Sequence, residues 1–343
     1  MGGITINSQV GKKENIILQI SNLLETNNIF HVNEIKQVKN GRNSKVFIAI
    51  SGDKKYIIKK YHHHVDDLRN RLDNEFRFLI YLNEYHIDKV AKPIDCDDEN
   101  HLGLYSYIEG KIPDSLNQNI VNQATNFIFK INEFRDTKLA KKLSNASESC
   151  FSIISHINCV ENRINNLKKI ISDESLMRDF SSFVNINLNN SLEKIKNNFS
   201  IRFTSKEIQQ NILDIHKIIS PSDFGFHNTL LNNNNLYFLD FEYAGWDDPA
   251  KLICDFTCHP EIPVNEKLSK SFSDSIASWL KTPEDINEKS KALLPLYRLK
   301  WCCIILNEFT LVGRDRRIHS ENTQSLENQL NKSMNYFKEY LLG

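Results

Sequence analysis

The sequence has neither a long apolar run nor an excess of charge of one sign. No stretch approaches the roughly 18 apolar residues that a membrane-spanning helix needs. The first residues, Met1 to Ile6, lack the basic and apolar parts of a signal peptide. Lysine plus arginine and aspartate plus glutamate each number 43 among 343 residues. We therefore expect a cytoplasmic protein with no nucleic-acid or membrane partner.

The sequence also lacks the cysteine pattern of a disulfide-rich or zinc-binding protein. Its seven cysteines are odd in number and widely spread, in a chain long enough to fold without cross-links. Cys254-x-x-x-Cys258-His259 has no second pair of ligands, which favours a buried helix over a zinc site. Successive side chains of His62-His63-His64 point in alternating directions, which favours a solvated loop over a metal clamp.

Helical and β-like patterns alternate in the first third of the chain. Turn residues separate the β-like runs, so these runs predict a small antiparallel sheet with one inserted helix. The predicted elements are a helix at 13–28, strands at 34–38, 46–50 and 55–61, a helix at 66–85 and extended segments within 90–107.

The remaining two thirds are mainly helical, from about 116 to 219 and from about 264 to 341. One exception lies between these blocks, where a hairpin of Thr229–Leu231 and Leu236–Leu239 is predicted. Gly110 and Pro113 mark the boundary between the β-like first third and the helical remainder. We predict an α+β chain with a first lobe at 1–109 and a larger, mainly helical second lobe at 110–343.

Acidic and amide side chains flank the predicted hairpin. Asp223 precedes it in a loop, Asn228 follows five positions later, and Asp240 ends the second strand. The hairpin brings Asn228 and Asp240 to the same end. Carboxylate and amide oxygens suit Mg²⁺ and leave coordination positions for phosphate oxygens, while Asp223 can accept the proton of an attacking hydroxyl. This arrangement predicts phosphoryl transfer, with Asp223 as the catalytic residue and Asn228 and Asp240 as metal ligands.

The same residues resemble the aminoglycoside phosphotransferase and choline kinase superfamily, whose catalytic loop runs Asp-x-x-x-x-Asn and whose metal-binding strand ends in Asp. Asp247-Asp248-Pro249 and Asp255 follow in the superfamily's order. Residues 220–228 are similar to uncharacterised bacterial relatives. The resemblance implies a bilobal, protein-kinase-like fold. It also implies magnesium-dependent transfer of the γ-phosphate of ATP, or of GTP, to the hydroxyl of a small molecule.

The resemblance places a phosphate-binding lysine and its partner in the first lobe. Lys59 lies on the third strand, where family members carry the lysine that binds the α- and β-phosphates. Glu75, on the next helix, stands where the family has the glutamate that pairs with this lysine. Lys60 is a rival for Lys59, but strand alternation directs it to the opposite face.

Two further segments are predicted to contact the nucleotide. Gly41, Asn43 and Ser44 join two predicted strands, and their amides and side chains can cover the phosphates. Tyr107 and Ile108 resemble the interlobe hinge, whose backbone usually meets adenine.

One departure from the superfamily leaves a second function open. The histidine that usually stands two residues before the loop aspartate is Pro221, which can stiffen the same turn. With a single glycine in the phosphate loop, this supports the alternative of a catalytically silent nucleotide-binding module. A choline- or ethanolamine-type kinase is a further alternative. The short span from 242 to 251 leaves no room for the activation segment of a protein kinase.

The resemblance places the acceptor in the second lobe. An aromatic and acidic lining suits a cationic amino alcohol or aminoglycoside, and a polar lining suits a sugar, which we prefer narrowly. Trp301 lies in a strongly apolar helix, where tryptophan is more often a core residue. The candidate acceptor residues are Trp246, Asp247, Glu261, Arg298, Trp301 and Glu308.

Overall fold

The protein is described by a computed structural model that covers residues 8–38, 43–64, 67, 69–171, 174–280 and 283–342. It has the predicted α+β, bilobal, kinase-like architecture, with a small antiparallel sheet in the first lobe and a larger helical second lobe. The strands are β1 Val32–Val38, β2 Ser44–Ser51, β3 Lys54–Tyr61, β4 Pro93–Asp97, β5 Leu102–Ser106, β6 Ile218–Ser220, β7 Thr229–Asn232, β8 Asn235–Phe238 and β9 Gly245–Asp247.

The helices follow the predicted division between the lobes. Two of them belong to the first lobe, α1 Ser8–Thr26 and α2 Arg71–Glu84. The second lobe contains α3 Gln118–Glu133, α4 Ile153–Lys168, α5 Ser175–Ser182, α6 Asn189–Arg202, α7 Ser205–Gln209, α8 Pro249–Cys258, α9 Glu266–Trp279, α10 Pro283–Ile305, α11 Leu311–His319 and α12 Leu326–Leu341. No helix in the described ranges is long and apolar enough to cross a membrane.

The five-stranded sheet has the order β1-β2-β3-β5-β4, with antiparallel neighbours throughout. Its register places Lys59 between Val46 on β2 and Gly103 on β5, at the centre of the sheet. Helix α2 begins at Arg71, later than the predicted residue 66. Asn70 sets this start, because its side chain accepts a hydrogen bond from the Asp73 amide at 3.1 Å and so caps the first turn.

The hairpin predicted in the second lobe is present as β7 and β8. A second ladder, β6 with β9, was not predicted, because strands of three residues leave almost no periodic signal. The hairpin also binds the linker between the lobes, since Lys111 and Leu231 exchange backbone hydrogen bonds at 3.1 and 2.7 Å. We propose the lobe boundary at residues 109–110, where Gly110 has φ +155° and a Cβ would lie 3.0 Å from the Leu231 carbonyl oxygen.

Residues around α11 form a second connection between the lobes, which we call the α11 clasp. Lys45 on β2 lies 2.6 Å from Glu321, and His62 Nε2 lies 2.7 Å from Asp315 Oδ2. His62 is buried beneath this contact, so the prediction of a solvated loop was wrong for this residue. Contact with a helix from the far end of the chain buries it, and the local sequence cannot reveal such a contact.

A buried polar cluster holds α4, α8 and α10 together. Asp248 caps α8 by accepting from the Ala250 amide at 2.7 Å, and it also binds His156 Nε2 at 3.2 Å and Lys289. His156 Nδ1 lies 2.7 Å from the Tyr297 hydroxyl. Burial lowers the pKa of His156. Burial alone would raise the pKa of Asp248, but Lys289 and His156 hold it well below its usual range.

Acid should therefore destabilise the protein through this cluster. Below pH about 6.5, His156 takes up a proton in the unfolded chain but stays neutral in the folded chain. Because the unfolded state binds more protons, the free energy of unfolding falls as the pH falls. Urea unfolding at about pH 7 and pH 5 should show a loss that is about 1–2 kcal/mol smaller in His156→Gln than in the wild type. His63→Gln, at an exposed position, is the control. Equal losses in wild type and His156→Gln would contradict this assignment.

Candidate active site

An ion cluster joins the sheet, α2 and the strand end of the second lobe. Lys59 Nζ lies 2.8 and 3.0 Å from the two oxygens of Glu75 and 2.9 Å from Asp240 Oδ1. Burial opposes the charge of Lys59, but Asp240 and Glu75 raise its pKa well above the usual value. Lys60 points away, as alternation predicted, and donates to the Asn100 carbonyl oxygen.

Glu75 is the most enclosed member of this cluster. Its side chain is 3% exposed and also accepts from the Tyr61 hydroxyl at 2.6 Å and from the Phe241 amide at 3.3 Å. These bonds come from β3 and from the residue after Asp240. Glu75 therefore positions the lysine and the chain around Asp240 together.

Asp240 and Asn228 lie at the same end of the hairpin, as the sequence predicted. The Leu239 amide donates to the Asn228 carbonyl oxygen at 2.9 Å. Asp240 has φ +65°, an unfavourable backbone conformation for a residue with a side chain. Asn228 Nδ2 donates to the Asp223 carbonyl oxygen at 3.1 Å, which leaves the amide oxygen for another partner. An amide oxygen and a cleft-facing carboxylate fit a hard divalent cation.

Asp223 lies against two histidines. Its carboxylate oxygens are 3.7 Å from His227 Nε2 and 3.4 Å from His259 Nε2, and the two imidazole rings stack at 3.9 Å. Burial alone would raise the pKa of Asp223, but His227 and His259 hold it well below its usual range. Burial and the neighbouring His227 lower the pKa of His259. Asp223 is therefore a carboxylate at neutral pH, held in place by its neighbours.

Two cavities meet at these residues. The first, here called the sheet cavity, has a volume of about 550 Å³ and lies between the β-sheet and the hairpin. The second, the helix cavity, has a volume of about 320 Å³ and lies mainly among residues of the second lobe, with Asn43 and Arg69 of the first lobe at its wall. Asn228 and Asp240 line both cavities, whereas Asp223 lines only the helix cavity. A group bound in one cavity can thus meet a group bound in the other beside the carboxylates.

The sheet cavity has the features of a nucleotide pocket. Val46, Ile57 and Leu79 contribute apolar walls, and Lys59 and Glu75 lie within it. Tyr107 and Ile108, the residues predicted to form the hinge, also line this cavity. Ser44 also lines it, and its buried hydroxyl has no hydrogen-bond partner among the described residues.

The predicted phosphate loop is only partly described, because Gly41 lies outside the described residues. Asn43 borders both cavities, but its amide is already engaged. Its Nδ2 donates to Glu242 at 2.8 Å and to the Tyr243 hydroxyl at 3.2 Å, and its Oδ1 accepts from Arg317 at 3.2 Å. Asn43 therefore links the loop to the segment after Asp240, a contact for which the sequence has no signal.

The structure separates the candidate acceptor residues into two groups. Trp301 and Glu261 line the helix cavity, and Glu308 lines a small neighbouring cavity of about 40 Å³. Three others line neither of the two large cavities: Trp246 donates to the Ala140 carbonyl oxygen at 3.1 Å, Asp247 is buried 2.6 Å from Lys251, and Arg298 lies 3.6 Å above the ring of Tyr340. Structural contacts occupy these three side chains, so we do not assign them to the acceptor site.

Sequence reasoning missed several residues of the helix cavity. His259 was considered only as part of a cysteine–histidine pair, yet it touches Asp223 because α8 ends against the loop that carries this aspartate. His227 stood inside the catalytic motif without a role. Arg163, Arg316 and Lys300 had no motif around them, and they reach the cavity from three separate helices.

Comparison with known proteins agrees with this geometry. The model of the phosphotransferase enzyme family matches residues 34–139, from β1 to just beyond α3. No curated protein matches the chain. Choline kinase LicA from Streptococcus pneumoniae superposes with a TM-score of 0.59 at 15% identity, over 96% of this chain and 100% of that one.

Two further solved structures superpose similarly. The spectinomycin phosphotransferase APH(9)-Ia, in complex with AMP, has a TM-score of 0.58 at 18% identity, with 94% of each chain covered. Amicoumacin kinase hAmiN, in complex with AMP-PNP, Ca²⁺ and Ami, has a TM-score of 0.58 at 13% identity, over 98% of this chain and 96% of that one. The predicted superfamily resemblance is confirmed. At these identities the structures establish the kinase-like fold, and the superfamily's chemistry has to be argued from the site.

Removing the charge of Glu75 should destabilise the fold. Glu75→Gln leaves Lys59 paired with the half-buried Asp240 and removes its buried partner, and breaking a buried pair from one side costs about 3 kcal/mol. Urea unfolding measures this loss. Glu84→Gln, exposed at the end of the same helix, is the matched control and should change the free energy of unfolding by less than about 0.5 kcal/mol. Equal effects of the two changes would refute the central place of the ion cluster.

Proposed function

We propose that this protein is a magnesium-dependent phosphotransferase that moves the γ-phosphate of ATP to a hydroxyl group of a small molecule. The observation that carries the proposal is the meeting of the two cavities at Asn228 and Asp240, with Asp223 on the helix side. The nucleotides in the complexes of APH(9)-Ia and hAmiN support a nucleotide in the sheet cavity.

In this proposal the sheet cavity binds the nucleotide. Adenine packs between its apolar walls beside Tyr107 and Ile108. No backbone hydrogen bond within the described residues occupies these two residues, so their amide and carbonyl groups are open to the base. Lys59 binds the α- and β-phosphates, and Glu75 keeps its ammonium in position. Ser44 offers its unpaired hydroxyl to the same ligand.

The transfer itself takes place where the cavities meet. Asp223 orients the acceptor hydroxyl and receives its proton as the oxygen–phosphorus bond forms and the bond between the β- and γ-phosphates breaks. Asn228 and Asp240 are the residues that would hold the magnesium ion. The bound ion would neutralise the charge of the phosphate oxygens. Because most of the catalysis in such reactions is positioning and charge stabilisation, the fixed geometry of Asp223 is its main contribution.

Two variants separate nucleotide binding from chemistry. Asp240→Asn should abolish the magnesium-dependent rise in thermal midpoint that ATP produces, because a metal ligand is lost. Asp223→Asn should keep that rise, and its kcat with an acceptor found by screening hydroxyl compounds should fall by about 10²- to 10⁴-fold.

Asp179→Asn, at an exposed position on α5, is the control and should match the wild type in both assays. Unchanged turnover in Asp223→Asn would remove the mechanism. A magnesium-dependent shift without turnover on any acceptor would favour the silent nucleotide-binding module. No shift with ATP or GTP at millimolar concentration would overturn the proposal.

A further inference from the structure

The acidic residues that line the helix cavity all have cationic or histidine partners. Asp223 lies against His227 and His259, and Asp240 is paired with Lys59. The other acidic pairs, with their shortest distances, are Glu148 with Arg163 at 2.6 Å, Asp255 with Lys300 at 3.2 Å and Glu261 with Lys332 at 2.7 Å. Four of these five carboxylates are therefore paired with a lysine or an arginine, whereas Asp223 has histidines beside it.

Arg316 is the exception among the cations of this wall. The others have partners, since Arg69 lies 2.6 Å from Asp67, Arg317 lies 3.8 Å from Glu308, and Arg163 and Lys300 are in the pairs above. Arg316 is 8% exposed, its buried Nε has no hydrogen-bond partner, and no acidic side chain of the described residues forms an ion pair with it. Burial of an unpaired charge is costly, and arginine is rarely buried without a partner.

The cavity holds a second unpaired donor. The indole Nε1 of Trp301, a side chain that is 8% exposed, is buried and has no partner within the described part of the chain. Indole nitrogen can only donate a hydrogen bond. His227 Nδ1 also lacks a partner, but with Nε2 turned to the Asp223 carboxylate it is the acceptor nitrogen of a neutral ring and does not belong to this set. Arg316 and Trp301 both line the helix cavity. Donors without acceptors indicate that the missing partner carries acceptor atoms.

We infer that the acceptor molecule carries an anionic group, a carboxylate or a phosphate, which the guanidinium of Arg316 and the indole N–H of Trp301 bind in the helix cavity. The inference rests on the proposed function and narrows its substrate to hydroxyl compounds with a negative charge, such as acidic or phosphorylated sugars. Guanidinium suits both anions because its donors match their paired oxygens. A cationic amino alcohol or aminoglycoside would instead meet the unbalanced positive charge of Arg316.

Two other roles for Arg316 predict different results. As a basic residue in the last turn of α11 it interacts favourably with the helix dipole, but a solvated side chain does this equally well. As a ligand of the transferred phosphate it would affect nucleotide binding and every acceptor alike. Arg316 lines the helix cavity and not the sheet cavity, which favours the acceptor.

The experiment uses four sugars that share a ring and differ in one substituent. The full-length protein, saturated with magnesium and AMP-PNP, is titrated with D-glucuronate, D-glucose 6-phosphate, D-glucose and D-glucosamine at constant ionic strength. Its thermal midpoint is followed. We expect a shift with at least one of the two anionic sugars and none with the neutral or cationic one. The response to glucuronate against glucose 6-phosphate distinguishes a carboxylate from a phosphate.

The variants identify the residue responsible. Arg316→Met, which keeps the length of the side chain without its charge, should weaken the binding of the anionic sugar by about 10- to 100-fold, the loss expected for a charged hydrogen bond. Arg316→Lys should restore part of it. Arg314→Met, exposed on the same helix, should bind as the wild type does. An unchanged affinity in Arg316→Met, a larger shift with glucosamine, or no shift with either anion would overturn the inference.

The nucleotide shift is read separately, so the two proposals fail in different ways. If AMP-PNP with magnesium raises the midpoint equally in wild type and Arg316→Met while no anionic sugar does, the proposed function stands and the inference is wrong. If the nucleotide gives no shift but an anionic sugar binds and Arg316→Met loses it, the anion site stands and the phosphotransferase does not. A nucleotide shift that falls in Arg316→Met would assign the arginine to the transferred phosphate and overturn the inference.

Discussion

The contact of Lys59 with Glu75 and Asp240 is the interaction on which the rest of the site depends. It brings together one residue from the sheet, one from α2 and one from the end of the hairpin. Removing Lys59 would leave Glu75 and Asp240 without the cation they share, so this lysine holds the three elements in register. The same contact holds Asp240 at the end of the sheet cavity, where this cavity meets the helix cavity. Stability of the lobes and geometry of the site therefore have a common origin.

Much of this arrangement could be predicted from the sequence, because it follows from short-range periodicity. Alternation along β3 was enough to choose Lys59 over Lys60, and hairpin geometry was enough to bring Asn228 beside Asp240. The helix carrying Glu75 followed from its apolar spacing. In each case the chain direction and a repeat of two or 3.6 residues fix the placement of the side chain.

The acceptor side could not be predicted in this way, because long-range packing builds it. Trp246 and Asp247 stood next to the predicted metal ligand Asp240 in sequence, yet the β6–β9 ladder directs them away from both cavities. His259 and Arg316 come from the ends of α8 and α11, and their position depends on how whole helices pack. A motif cannot report such contacts, and neither residue had a sequence signal of its own.

The α11 clasp joins the two lobes at a second place, apart from the linker. The linker at Gly110 joins the lobes along one side of the cleft, and Lys45–Glu321 and His62–Asp315 join them along the other. Two lobes joined only by a linker can separate by rotation about it, whereas lobes joined on both sides of the cleft must first break one set of contacts. Glu321 is more than half exposed, so dissolved ions screen its pairing with Lys45, whereas the backbone hydrogen bonds between Lys111 and Leu231 on the linker side carry no net charge to screen. A rise in ionic strength should therefore weaken the contacts at α11 more than those at the linker.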